Sequence, residues 1–254
     1  MVLVSILRRL AFFSTGAFCT IALHRWRQTI VTTLPHCFCK YTVPGLIVAP
    51  WAMYLLMQPS TTLSEMAHCS DMACLLPLSY LMMGHLFVDL IVNWQQLPLA
   101  VHHTMTIVAL LAYDSLSHTL SQNEPMVDPV ERDNCLYVAH VILHLFASDV
   151  YPLAWAVRKH CMPASALRAR RALALCILLI MGTHRIPVVF LAVKKLMLMG
   201  VWGHSAYFFY GLMLPVHLFI DVMWYDNMVW TFGRENDLAV QLSNKKIVFA
   251  APPP

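Results

Sequence analysis

The sequence predicts an all-α protein, a polytopic membrane bundle of about seven transmembrane helices, from three observations. Of the 254 residues, 59% are hydrophobic and only 12% are charged, whereas soluble domains carry about 25% charged residues. The mean hydropathy is +0.63. The apolar residues form long blocks without the alternation of a transmembrane barrel. The net charge of +4 at pH 7 gives no indication of nucleic acid as a partner.

Seven apolar stretches are candidates for these helices, each compared with the roughly 20 residues that cross a bilayer. The first, at 10–23, is the shortest, and we interpret it as a retained signal anchor. Without it, six spans remain. The other stretches are 37–57, 73–94, 97–116, 136–157, 172–193 and 202–224. Pro152, Pro187 and Pro215 interrupt the last three stretches and predict kinks or breaks that face a cavity.

The predicted spans divide the chain into three parts. Residues 1–35 form an N-terminal segment, 36–226 form the transmembrane domain, and 227–254 form a polar tail that we expect to be disordered. Most lysines and arginines fall in loops on one side of the membrane, at 25–27, 40, 158–171 and 234–246. Because basic loops stay in the cytosol, we expect a multi-pass protein with a cytosolic C-terminus.

One predicted hairpin, residues 84–113, carries polar side chains at membrane depth. His85, Asp89 and Asn93 follow each other at intervals of four residues and therefore share one helix face. The polar side chains that begin the second arm are His102, His103 and Thr106. An ionisable group at membrane depth costs about 2.5–3.5 kcal/mol on insertion scales, so it must be paired or turned toward a cavity. The hairpin is therefore predicted to form one wall of a polar site.

Further polar side chains fall in the later helices. Ser148 and Asp149 lie in the predicted fifth helix, and His217 and Asp221 share a face of the seventh. The predicted topology puts these four residues in the cytosolic half of the membrane with the hairpin site. The same counting puts Arg185 in the opposite, lumenal half of the sixth helix.

Three segments resemble the TLC-domain superfamily, which includes the ceramide synthases and the translocating-chain-associated membrane proteins. They are GHLFVDL at 84–90, HHTMT at 102–106 and LHLFASDVYPLAWAVRK at 143–159. The resemblance covers roughly 43–221, and Arg185 followed by Pro187 resembles the sixth-helix pattern of non-synthase members. It implies an endoplasmic reticulum protein of lipid or sphingolipid homeostasis. If the chain is similar to the synthases in function, the resemblance implies N-acyl transfer from acyl-CoA.

The chain departs from the synthase pattern at one point. In the synthases, the stretch that resembles 143–159 has the pattern HDxxD followed by a distal lysine. His144, Asp149 and Lys159 match this pattern only loosely. Leu145 or Phe146 stands at the first acidic position, and the spacing to Asp149 is one residue longer. The missing carboxylate favours a non-enzymatic regulator of membrane lipid composition or a cargo-handling protein. The intact HHxxT pattern favours an enzyme, and both interpretations stay open.

Imidazole and carboxylate groups suit acyl transfer. A neutral histidine acts as general base or nucleophile, and a carboxylate on its other nitrogen fixes the tautomer. The candidate catalytic residues are His102, His103, Asp89 and Asp149. The candidate substrate-binding residues are Asn93, Thr106, Ser148, Arg185, His217 and Asp221. Each of these groups also suits a structural role as a bridge between helices, and for His217 and Asp221 the structural role is favoured.

The partners follow from the same interpretation. Membrane lipids are the expected ligands, and acyl-CoA is the co-substrate if the protein is an enzyme. No bound cofactor is expected. The single HxxxH pair, His140 and His144, is too little for a di-iron or zinc centre, so no metal is predicted. The sequence leaves the formation of homo-oligomers open.

Overall fold

The computed structural model describes residues 2–29, 36–57, 69–122, 139, 141–163, 165–188 and 214–250. Every regular element in these ranges is helical, which confirms the all-α prediction. The helices are α1 (Val2–Thr29), α2 (His36–Val43), α3 (Ala49–Leu56), α4 (Cys69–Asn93), α5 (Leu97–Gln122), α6 (141–148), α7 (Val150–His160), α8 (Leu167–Ile180) and α9 (Leu214–Ala250). Two π-helical turns, Pro44–Val48 and Met181–Arg185, follow α2 and α8.

Three helical stretches of the described chain are long and apolar enough to cross a membrane. They are Leu3–Gln28, Leu75–Asn93 and Leu167–Val188. This finding is compatible with a membrane protein, whereas the predicted total of seven spans is not confirmed. The predicted spans at 136–157 and 202–224 lie partly outside the described residues.

Two predicted boundaries are wrong. Helix α1 is twice as long as the apolar stretch 10–23, because it includes Arg8, Arg9 and the residues up to Thr29. Helix α9 continues past Asp226 into the tail that was expected to be disordered. Between 226 and 250 the sequence has no proline and a single glycine. Polar composition therefore does not prevent a helix there, since arginine, lysine, glutamine and glutamate have good helix propensity.

Prolines account for the interruptions of the later helices. Pro152 has no N–H for the carbonyl of Ser148, and the helix breaks between them at Asp149. Pro187 does not end the helical stretch, but a π-turn precedes it, in which the N–H of Ile186 bonds to the carbonyl of Met181, five residues back. Such π-turns are rare, and they often occur at functional sites. Both interruptions lie beside the polar residues described below.

Helices α1 and α4 cross at two glycines. A Cβ atom built on Gly16 would lie 2.0 Å from the carbonyl oxygen of Leu81, and one on Gly84 would lie 2.0 Å from that of Phe13. The backbones are therefore in direct contact, as at the small-residue crossings of membrane helices. This crossing makes α1 one wall of the bundle, packed along the helix that carries His85 and Asp89.

Replacement of Gly16 or Gly84 by leucine is expected to destabilise the bundle. The clash is with backbone atoms, which no rotamer change relieves, so the helices must separate at a cost of about 1–3 kcal/mol. Thermal unfolding in detergent measures the loss. Gly233→Ala is the control, because nothing lies within 4 Å of its Cβ position. If Gly16→Leu unfolds at the same temperature as the wild type, the described crossing is wrong.

Candidate functional site

A cavity of about 420 Å³ lies within the helical bundle. Helices α2, α4, α5, α6, α7 and α9 and the second π-turn all contribute to its wall, which is mostly apolar. The predicted site residues that line it are His102, His103, Thr106, Asp149, Arg185 and Asp221. The structure thus brings predicted site residues from four parts of the chain around one partly open cavity.

Asp89 lies directly behind this wall and is fully buried. Its Oδ2 is 3.3 Å from Nδ1 of His103 and 4.0 Å from Nζ of Lys40. The amide of Asn93, one turn along α4, donates a hydrogen bond of 2.8 Å to Oδ1 of Asp89. The predicted stripe on α4 therefore builds a carboxylate held from two sides, with an imidazole between it and the cavity.

The second arm of the hairpin supplies the neighbouring groups. The ring centroids of His102 and His103 are 5.5 Å apart, tilted by 51°. The hydroxyl of Thr106 donates to the carbonyl of His102 at 2.8 Å, so it belongs to the hydrogen bonding of its own helix. The side chain of His103 thus connects this arm of the hairpin to the buried carboxylate of Asp89.

His85 has a partner that the sequence did not indicate. Its Nδ1 is 2.9 Å from the hydroxyl of Thr20 on α1, and this hydroxyl lies 2.8 Å from the carbonyl of Gly16. A single threonine in an apolar helix carries no distinctive signal. The approach of Thr20 to His85 depends on the glycine crossing of α1 and α4.

Arg185 is the centre of a second polar group. Its Nε donates to Asp221 at 2.8 Å, and its Nη1 donates to Asp149 at 2.7 Å. The same Nη1 lies 3.1 Å from the hydroxyl of Ser148 and 3.2 Å from the carbonyl of Leu145. The guanidinium thus joins α6, the break at Asp149 and α9.

Tyr151 completes the Arg185 group, and its role was not predicted. Its hydroxyl donates to Asp221 at 3.4 Å, and the guanidinium of Arg185 lies 5.2 Å from the centre of its ring. Asp149 stands at the N-cap of α7, yet its side chain makes no capping bond. Its carboxylate bonds to Arg185 instead. With one guanidinium for two carboxyl groups, the group has one acidic side chain in excess.

The predicted separation in depth between Arg185 and Asp149 is wrong. Direct hydrogen bonds place Arg185, Asp149 and Asp221 at one level. Residue counting from the helix ends treats the helices as straight and parallel. The π-turn before Pro187 and the break before Pro152 both alter that geometry.

The remaining candidate residues lie at the margin of the cavity or outside the described part. The side chains of His217 and His140 are outside the described residues. His144, expected as half of an HxxxH pair, instead has its Nδ1 3.3 Å from Nε2 of His184. Within the described residues, no three histidine, cysteine, aspartate or glutamate side chains form a metal-binding group.

Comparison with known proteins adds no assignment. No protein-family model, curated protein or solved structure matches the chain. The resemblance to the TLC-domain superfamily therefore stays a prediction.

Loss of Arg185 is expected to destabilise the C-terminal half. Arg185→Gln leaves two buried carboxylates next to each other, and removal of one partner from a buried ion group costs about 3–5 kcal/mol. Adding Asp149→Asn and Asp221→Asn to this variant removes the repulsion and should restore part of the loss.

Chemical unfolding in detergent measures both variants of the Arg185 group. Arg234→Gln is the control, since Arg234 is exposed on α9. A single Arg185→Gln variant as stable as the wild type contradicts the ion group. A triple variant no more stable than the single one contradicts repulsion as the cause.

Proposed function

We propose that this chain is a multi-pass membrane protein whose cavity binds the polar end of a lipid and, in the enzymatic form of the proposal, transfers an acyl group from acyl-CoA to it. The observation that carries the proposal is the placement of His103 between Asp89 and the cavity. The TLC-like segments 84–90 and 102–106 supply the same residues. Both lines therefore converge on one pair of side chains.

The cavity wall suits an amphipathic ligand. Its apolar part includes Met82, Leu86, Leu110 and Phe146, which accept an acyl chain. Its polar part includes histidines, Lys40, Gln96 and the side chains paired around Arg185. A lipid with a small polar head satisfies both parts, whereas a highly charged solute gains nothing from the apolar part.

The chemistry of acyl transfer follows from the tautomer of His103. The mechanism requires the tautomer in which Nδ1, 3.3 Å from Oδ2 of Asp89, carries the proton and the basic lone pair is on Nε2. The base takes the proton from the lipid amine or hydroxyl as that group attacks the thioester carbonyl. A C–N or C–O bond forms, the C–S bond breaks, and the thiolate of CoA leaves with the proton. Asp89 stabilises the imidazolium in between.

Replacement of His103 is expected to abolish acyl transfer but to leave lipid binding in place. His103→Gln removes the base, so the rate should fall about 10²–10⁴-fold. Asp89→Asn should lower it less. Transfer from labelled acyl-CoA to lipid amines and alcohols in proteoliposomes measures the effect. His160→Gln, at the exposed end of α7, is the control.

Comparison of the double variant His102→Ala/His103→Ala with His102→Ala alone separates the contributions of the two histidines to the rate of acyl transfer. Membrane insertion is checked first for each protein. Acyl transfer by the double variant at the wild-type rate contradicts the catalytic role. Loss of transfer already in the single variant His102→Ala would assign the base to His102 and contradict the assignment to His103.

A second candidate function is non-enzymatic lipid binding, as in a regulator of lipid composition or a cargo-handling protein. One observation favours it: both Asp149 and Asp221 are bonded to Arg185. No second carboxylate–histidine pair is therefore assembled around the cavity within the described residues. In this form His103 binds a headgroup, Asp89 orients the imidazole from behind, and neither residue catalyses a reaction.

Filling the cavity is expected to displace its lipid in either form of the proposal. Ala109 lines the cavity and is 5% exposed, so Ala109→Phe places a ring in that space. Native mass spectrometry of the purified protein should show a copurifying lipid that the variant loses. Ala169→Phe, on the exposed side of α8, should retain it. Equal lipid content in both variants contradicts a lipid site in the cavity.

A further inference from the structure

We propose that a groove between α8 and α9 binds an anionic phospholipid of the surrounding membrane. The groove has a volume of about 230 Å³ and is lined by Arg168, Arg171, Ala172, Leu175 and Phe232. It shares no lining residue with the central cavity. The inference therefore does not depend on acyl transfer and needs only that the chain is embedded in a membrane.

The two arginines of the groove have no counter-charge in the described part of the chain. Neither Arg168 nor Arg171 makes a hydrogen bond or an ion pair there, and no carboxylate lines the groove. Arg170, which lies between them in the sequence, is held by hydrogen bonds within the protein. Its Nη1 donates to the carbonyl of Met162 at 2.8 Å, and its own carbonyl accepts from Nε of Arg158 at 3.1 Å. One arginine thus fixes the preceding loop while the other two face the groove.

The position of these arginines in α8 is unfavourable without an anion. They lie at the N-terminal end of the helix, where the helix dipole repels cations. The first turn contains no acidic residue, and Ala166 at the N-cap provides no side-chain hydrogen bond. A phosphate near the two guanidinium groups neutralises both charges and interacts favourably with the dipole.

The apolar part of the groove argues for a lipid rather than a soluble phosphate. Ala172, Leu175 and Leu179 continue the face that starts with Arg168, since they follow it at helical intervals. Leu175 is 49% exposed and Leu179 is 52% exposed. The stretch Leu167–Val188 is apolar enough to cross a membrane. Along one helix face, charge at the start of this stretch is therefore followed by an open apolar surface, in the order of a phospholipid's headgroup and acyl chain.

Lipid titration of the purified protein tests the groove. Phosphatidylserine or phosphatidylcholine is added to the full chain in detergent, and native mass spectrometry counts the bound lipids. Arg168→Gln/Arg171→Gln should bind phosphatidylserine at least about tenfold more weakly, because each basic side chain near an anionic lipid contributes several-fold to affinity. Its affinity for phosphatidylcholine should stay unchanged.

The control is Arg25→Gln/Arg27→Gln, which removes the same charge at the end of α1. An equal loss of phosphatidylserine binding in the control overturns the site, since net charge would then explain the effect. Arg168→Lys/Arg171→Lys keeps the charge and should retain most of the binding. Its complete loss of binding at an unchanged unfolding temperature overturns a role in charge recognition.

Two further measurements identify the source of the phosphate. Leu175→Asn makes the apolar wall polar and should weaken phosphatidylserine binding. Soluble glycerophosphoserine should compete poorly, because it lacks acyl chains. Equal competition by this headgroup, or full binding by Leu175→Asn, shows that the groove binds a soluble anion and overturns the proposal of a lipid.

Discussion

The guanidinium of Arg185 holds the C-terminal half of the bundle around the cavity. A charge in an apolar interior is tolerated only when it is paired, and here the partners come from separate elements. Asp149 follows α6, and Asp221 lies on α9. The three elements must therefore meet at one level, which fixes one side of the cavity. On the other side the same constraint acts through Asp89, which needs Asn93, His103 and Lys40.

Local sequence features put these groups within reach of each other. Pro152 breaks the helix at Asp149, so the carboxylate projects from a helix start rather than from a regular turn. The two glycines at the α1–α4 crossing allow the backbones to touch, and Thr20 thereby reaches His85. Irregular backbone in an apolar bundle is acceptable where it lies beside a cavity. Here both the break at Asp149 and the π-turn at 181–185 meet that condition.

The part of the fold that the sequence predicts is the part governed by local patterns. Hydropathy indicates the helices, and the four-residue spacing of Asp89 and Asn93 indicates their common face. For His103 the sequence left two carboxylate partners open, Asp89 and Asp149, and the structure places it 3.3 Å from Asp89, since a short hairpin brings the ends of its two arms together. Length was predicted poorly for α1 and α9, since both continue into polar residues that hydropathy does not count.

Contacts between distant helices are where sequence reasoning fails. The bonds from Arg185 to Asp149 and Asp221 depend on helix tilt and on a π-turn, which no spacing rule encodes. Tyr151, Thr20 and the His144–His184 contact were missed for the same reason. Each is an ordinary residue in an apolar helix until the packing supplies its partner. Residues of the segments 84–90, 102–106 and 143–159 line the cavity, but nothing in those segments indicated this network.

The second π-helical turn makes the cavity sensitive to the length of the chain as well as to its chemistry. The turn holds one residue more than an α-helix would in the same space, because Ile186 bonds to Met181 five residues back. A one-residue deletion at 181–185 would restore regular helix in that space, so the residues on either side would keep their directions and the change would fall on the side chains of the turn itself, among them Arg185. Such a gap would alter the wall of the cavity even where the residues that line it are all retained. Gaps in this short stretch are accordingly a sharper criterion than substitutions for deciding whether a related sequence preserves the same chamber.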